Sequence, residues 1–157
     1  MPFSASNYLF VEQFLEGARV ADFMWGTPNA RQMVIRFDFE CSVDTYFAVA
    51  VHNAASDRSF VSEQALQYGG GQSYPKTFTI VVPGDTAGTW VSGNAASIGI
   101  AFVLAVGSTY QTATPGIWLA GNYLGTAQVT SPQTNTNHIV TRIGVYLDTY
   151  KTGVAPP

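Results

Sequence analysis

Along most of the chain, hydrophobic and polar residues alternate with a period of two. In "MVIRFDFEC" (33–41), Ile35, Phe37, Phe39 and Cys41 alternate with Arg36, Asp38 and Glu40, which predicts a strand with one buried and one solvated face. "TYFAVAVHN" (45–53) sets Phe47, Val49 and Val51 against Tyr46, Ala48, Ala50 and His52, and "TFTIVV" (77–82) sets Phe78, Ile80 and Val82 against two threonines. "SIGIAFVLAV" (97–106) carries Ile98, Ile100, Phe102, Leu104 and Val106 on one face, and "HIVTRIGVYLD" (138–148) carries Ile139, Ile143, Val145 and Leu147. Turn-forming stretches separate these runs: "GTPNA", "NAASD", "YGGGQS", "PGDTAG", "TATPG" and "TSPQTNTN". Short strands at this spacing predict an all-β, antiparallel sandwich or barrel. One segment departs from the period. In "SNYLFVEQFLEGARVADFM" (6–24), Phe10, Phe14, Ala18 and Ala21 follow helical spacing and Ser6 or Asn7 is placed to cap, so local pattern alone leans toward a helix.

The 157 residues suit a single domain large enough to hold a core without disulfides. The one cysteine, Cys41, excludes an internal disulfide and a cysteine-rich metal site. A net charge of −3 gives no electrostatic reason to expect nucleic acid or anionic lipid as a partner. The charged fraction of 11% is well under the roughly 25% usual for soluble domains. No run approaches a membrane span of about 20 apolar residues, and "MPFSASNYLF" does not have the pattern of a signal peptide.

Candidate chemistry is sparse. The ten carboxylates are scattered, and for Asp38 and Glu40 on the polar side of a strand the ordinary reading is solvation. No E-x-x-H, H-x-H or D-x-D-x-D spacing offers a metal cage, so no cofactor, calcium included, is expected. His52 and His138 fall at strand ends with no partner implied. There is no G-x-S-x-G elbow, and "YGGGQS" lacks the G-K-[ST] of a phosphate loop. With no catalytic constellation, the chain is expected not to be an enzyme. Three tryptophans, eight tyrosines and ten phenylalanines remain as functional material. Trp25, Trp90 and Trp118 each adjoin a Gly or Pro-Gly turn, a placement that either offers a flat face to a sugar ring or plugs a sandwich end; Tyr68, Tyr74 and Tyr110 flank loops in the same way.

The run "TFTIVVPGDTAGTW…IAFVLAVGSTYQTATPGIW" resembles a β-sandwich module of bacteriophage tail-fibre and other minor virion proteins, whose pattern is of the type "tita-pGDTtGtW", then "l-f-la-Gs-y", then "gtW". The family's opening "r-IEG…D-wGTa-A" is similar to "EQFLEGARVADFMWGTPNARQMVIRFDF", and its closing "TGVQLE-G--AtPFE" to "RIGVYLDTYKTGVAPP". The resemblance runs from about residue 11 to the end, which divides the chain into an extension (1–10) and a domain (11–157). It departs from the family in ending on Pro156-Pro157 instead of "PFE" and in having only about ten residues where a fibre stalk would precede.

The resemblance implies a jelly-roll sandwich similar to carbohydrate-binding modules, with two strands, 11–16 and 19–24, bent at Glu16-Gly17 in place of the helix. It implies that Asp85 and Thr86 serve the turn, with Asp85 capping N–H groups after Gly84 and Trp90 covering the sandwich end. The function implied is a structural component of a virion (a tail-fibre, head-fibre or decoration-type subunit) that contributes to host attachment, with other virion proteins and host glycans as partners. A stand-alone carbohydrate-binding module is the alternative, and the fold analogy by itself does not establish it. Glycan contacts are expected at Trp25, Trp90, Tyr110 and Trp118. Finally, the second face of "SIGIAFVLAV" holds Gly99, Ala101, Val103 and Ala105, so this strand is apolar on both sides. With so few charges to solvate the exterior, a neighbouring copy is expected to cover Ala101, Val103 and Ala105. Fibre-type virion proteins being commonly trimeric, the resemblance implies a homotrimer.

Overall fold

The computed structural model describes residues 4–69, 75–129 and 137–148. Tyr74, most of "YGGGQS" and "TSPQTNTN", and the closing residues from 149 onward lie outside these. The described strands are β1 (Tyr8–Glu16), β2 (Gln32–Cys41), β3 (Thr45–Asn53), β4 (Arg58–Leu66), β5 (Lys76–Val82), β6 (Ala96–Val106), β7 (Trp118–Ala120) and β8 (His138–Asp148); β2, β3, β5, β6 and β8 are the alternating runs expected as strands, whereas β4 and β7 were not foreseen from the pattern. One short helical turn, α1 (Gly17–Val20), and a 3-10 turn (Ala21–Phe23) follow β1. No helix among the described residues is long and apolar enough to cross a membrane.

The strands make an antiparallel sandwich of two sheets, ordered β1-β6-β3-β4-β7 and β5-β2-β8. The pairs β1·β6, β2·β5 and β3·β4 are nested in sequence, and the middle pair lies in the opposite sheet. A six-strand hairpin rolled over on itself produces this pattern, which is the jelly-roll wrap. Between the sheets, Met33, Ile35, Phe37, Phe39, Phe47, Val49, Val51 and Val82 are fully buried, and Phe78, Ile80 and Phe102 nearly so. Their rings interlock: Phe39 stacks on Phe47 at 4.0 Å between centroids, and Phe37 meets Phe102 edge-to-face at 4.9 Å.

The segment with helical spacing is divided. Residues 8–16 are strand, because Phe10 and Phe14 gain more from pairing across β6 than from a helix with nothing to lie on. The second strand expected at 19–24 is not formed. The chain instead coils through α1 and the 3-10 turn and closes with Met24 at φ 54°, its N–H donating to Ala21 O at 3.0 Å. β1 also begins at Tyr8, inside the stretch taken as an extension.

Two β-bulges shift the parity that simple alternation assigned. In β6, Ala105 pairs with Leu9 and Val103 with Phe10, leaving Leu104 between them, and Val106 turns to the outer face. In β8, Gly144 pairs with Arg36 and Thr141 with Asp38, so two residues oppose Phe37. Val140, Val145 and Leu147 therefore pack on the core, while Ile139 and Ile143, expected inside, are exposed.

The face of β6 assigned to a neighbouring copy is covered from within. Ala101, Val103 and Ala105 are all 0% exposed in the single chain. The long excursion after β6 folds back, and Leu124, Val129, Tyr110 and Tyr123 pack with Val103, Ala101, Ala48, Ala50 and Val61 into a second core. Val106 N–H donates to Val129 O at 2.7 Å and Leu124 N–H to Tyr110 O at 2.9 Å, which pins that cover in place. Ala101, Val103 and Ala105 are thus interior residues and not a subunit interface. The sequence signal was sound, since a doubly apolar strand needs two covers, but a loop of the same chain supplies the second.

Candidate functional site

All three tryptophans meet at one end of the sandwich. Trp25 enters from the turn that follows α1, Trp90 from the long loop after β5, and Trp118 from the start of β7. Their ring centroids lie 4.8 Å (Trp25–Trp90), 5.2 Å (Trp25–Trp118) and 5.4 Å (Trp90–Trp118) apart, each pair edge-to-face. Each indole N–H has a carbonyl acceptor: Trp25 donates to Arg31 O at 2.7 Å, Trp90 to Ala87 O at 3.0 Å and Trp118 to Pro83 O at 2.7 Å. Trp25 is 7% exposed, so it serves chiefly as the plug, whereas Trp90 and Trp118 are half-buried.

Asp85 holds this end together. Its carboxylate is buried and accepts Arg58 Nε at 2.9 Å, Arg58 Nη2 at 2.6 Å and the Ala87 N–H at 3.1 Å. The last bond is the turn role expected of it. The bidentate pair with Arg58 is a second role that the sequence did not signal, because Arg58 is 27 residues away at the start of another strand. Asp85 in turn raises the Arg58 pKa, chiefly by hydrogen bonding. Gly88 lies over the Arg58 stem at φ 76°, where a Cβ would come within 2.5 Å of Arg58 Cγ. A main-chain bond from Gly26 N–H to Asp85 O at 2.8 Å ties the Trp25 turn to the same loop.

Between these two loops runs a groove of about 510 Å³. Trp25, Trp90, Met24 and Val91 give it apolar walls, and Thr27, Thr89 and Ser92 put hydroxyl-bearing side chains along it. An apolar floor with a few hydroxyl donors and acceptors suits a neutral, ring-shaped polar ligand. Tyr110, expected to share in glycan contact, is not part of this end. It meets Tyr8 edge-to-face at 5.3 Å and packs on the second core.

The other polar candidates have structural partners. His52, for which the sequence implied no partner, is buried with Nε2 2.5 Å from Glu12 Oε1 and Nδ1 2.9 Å from Asn53 O. That pairing joins β3 to β1 across 40 residues of sequence, so no local motif could reveal it. Asp38, expected to be solvated, is 2% exposed. The Thr77 hydroxyl donates to it at 2.6 Å and Arg142 bonds it as well; the Thr77 bond first, then Arg142, hold its carboxyl below the ordinary value against the opposing effect of burial. His138, at the start of β8, is pushed below its ordinary value by burial. Among the described residues no group of three His, Cys, Asp or Glu side chains is placed to hold a metal ion.

Comparison with known protein families, with curated proteins and with solved structures finds no match to this chain.

Proposed function

We propose that the protein is a non-enzymatic component of a bacteriophage virion, of the tail-fibre, head-fibre or decoration kind, that holds host-surface glycan in the groove beside Trp25 and Trp90. One observation carries this reading: two separate stretches that bear the resemblance, "DFMWGTPNA" and "PGDTAGTW", form the two sides of one groove, with indoles beside hydroxyls. Each aromatic contact with a sugar is worth on the order of 1 kcal/mol, so one groove binds in the millimolar range and attachment relies on many copies. The homotrimer that goes with this reading rests on the resemblance alone, now that the outer face of β6 is interior.

The test is a glycan array probed with protein displayed multivalently, native and Trp90→Ala. A signal for the native protein that falls about tenfold in the variant is expected. No signal with any glycan would leave only a scaffold role. Mass spectrometry of purified particles separates the virion component from a stand-alone carbohydrate-binding module, and light scattering at micromolar concentration reads the oligomeric state.

A further inference from the structure

The tryptophan groove is lined without charge: among the described residues that form it there is no Asp, Glu, Lys, Arg or His. A charged ligand would lose its water there and find no counter-charge, which disfavours sugars that carry a carboxylate or an amine. The hydroxyls along the groove are of two kinds. That of Thr27 is engaged, donating to Met24 O at 2.7 Å and accepting the Asn29 N–H at 3.2 Å. Those of Thr89, Ser92 and Ser97 have no hydrogen-bond partner among the described residues. Thr89 and Ser92 are exposed, so water serves them, but Ser97 is only 1% exposed. A hydroxyl buried to that degree ordinarily has a partner.

The backbone is irregular on both sides of the groove. Leu15 pairs with Ile98 and Glu16 with Ala96, so Ser97 is the extra residue of a bulge at the start of β6 and has no opposite number on β1. Strict alternation would send Ser97 and Ile98 to opposite faces, yet both line the groove. The Ser97 carbonyl accepts the Ala54 N–H at 3.0 Å, which ties the bulge to the turn after β3. On the other side, Met24 takes φ 54°, a conformation that a long side chain rarely adopts, and its side chain remains 36% exposed. Core packing is therefore a weak reason for that turn, and strain of this kind is typical of segments that hold a ligand. Val20, Ala21 and Val91 add further small apolar surfaces beside the indoles.

We propose that the groove recognises a 2-acetamido sugar, the Ser97 hydroxyl bonding the amide of the acetamido group and the methyl resting against Met24 and its apolar neighbours. This inference rests on the reading of the groove as a glycan site and narrows the class of glycan. The acetamido group is neutral, and it carries one donor and one acceptor, either of which a single hydroxyl can meet. It also ends in a methyl, which an apolar wall accommodates and a 2-hydroxyl sugar does not possess. The combination of one buried hydroxyl with apolar surface and no charge thus selects the acetamido sugar over its hydroxyl, amine and carboxylate relatives.

The experiment is a titration of the full chain, followed by ¹⁵N–¹H correlation spectra that include the indole N–H groups, with the methyl glycosides of N-acetylglucosamine, N-acetylgalactosamine and N-acetylmannosamine, each set against its 2-hydroxyl parent. At least one acetamido sugar is expected to move the Trp90 indole signal and the Ser97 and Met24 amides, and to bind about tenfold more tightly than its parent. Ser97→Ala is expected to bring the acetamido sugar down to the affinity of the parent and to leave the parent unchanged, whereas Trp90→Ala weakens both. Met24→Asn, which suits the left-handed backbone but removes the apolar wall, is expected to weaken the acetamido sugar several-fold. A thermal melt of each variant confirms that it is folded. Equal affinity for all three pairs would overturn the acetamido assignment while leaving the glycan reading in place, and no shift with any of the six sugars would overturn both. A preference that survives both Ser97→Ala and Met24→Asn would overturn the placement of the acetamido group.

Discussion

Replacing Asp85 with alanine removes the carboxylate that holds Arg58 in a bidentate pair. The Arg58 side chain is only 17% exposed and that of Asp85 only 3%, so the guanidinium loses both bonds of a bidentate pair and has little water to replace them. The Ala87 N–H loses its acceptor as well. Removing one partner of a buried ion pair costs about 3–5 kcal/mol, because the remaining charge stays desolvated. That is a large share of the 5–15 kcal/mol that typically holds a domain of this kind folded. Urea unfolding followed by tryptophan fluorescence reads it directly, since all three indoles surround the loop that Asp85 anchors. With a slope of about 2 kcal/mol per molar urea, the midpoint should fall by roughly 1.5–2.5 M. The double variant Asp85→Ala/Arg58→Met, which leaves no orphaned charge, should regain part of the loss. A single variant that loses less than about 1 kcal/mol, or a double variant no more stable than the single, would refute the claim that a desolvated charge pair holds this end together.

Two further outcomes follow from the packing. Leu124→Ala should lower the unfolding free energy by about 2–5 kcal/mol and speed amide exchange at Val106 and Val129, because Leu124 is 3% exposed in the second core; unchanged exchange would mean that this cover is not held by Leu124. Because the folded pKa of Asp38 lies below its ordinary 3.8, its contribution to stability is complete above that value and is lost as pH falls through the folded pKa. Thr77→Val removes the largest cause of the lowering, so a carboxyl NMR titration should show Asp38 titrating at higher pH and acid unfolding should begin earlier; an unmoved titration would contradict the assigned cause.

How far the chain could be read from its residues follows from the range of each interaction. The inward residues of β2, β3 and β5 were legible because alternation needs only an apolar layer on one side, a neighbour of no particular identity, but only β5 is half-buried; the other face of β3 is covered as well, by the second core. Phe37, Phe47 and Phe78 are therefore inside as that pattern requires. Gly and Pro punctuation was legible because turn preferences are local, and Asp85 does accept a backbone N–H two residues on. That Trp25, Trp90 and Trp118 each adjoin a turn was legible; their mutual contact depends on how two sheets close, which no local spacing states.

What tertiary structure alone decided lies where two remote segments compete for one position. Over residues 8–16 the helical spacing yielded to pairing with β6, because cross-strand bonds outweigh a short helix with nothing to pack against. The bulges in β6 and β8 inverted Val106, Ile139 and Ile143, since a single unpaired residue reverses every side chain beyond it and its position depends on the partner strand. Charged residues that look solvated by pattern, such as Asp38, are buried because Arg142 and Thr77 arrive from the two strands flanking it. The sequence alone determined that β6 must be covered on both faces, through residues too apolar for water. Whether the second cover came from another molecule or from the same chain was decided only when Leu124 and Val129 folded back onto Val103, a contact made possible by chain length and closed by bonds between segments about 20 residues apart.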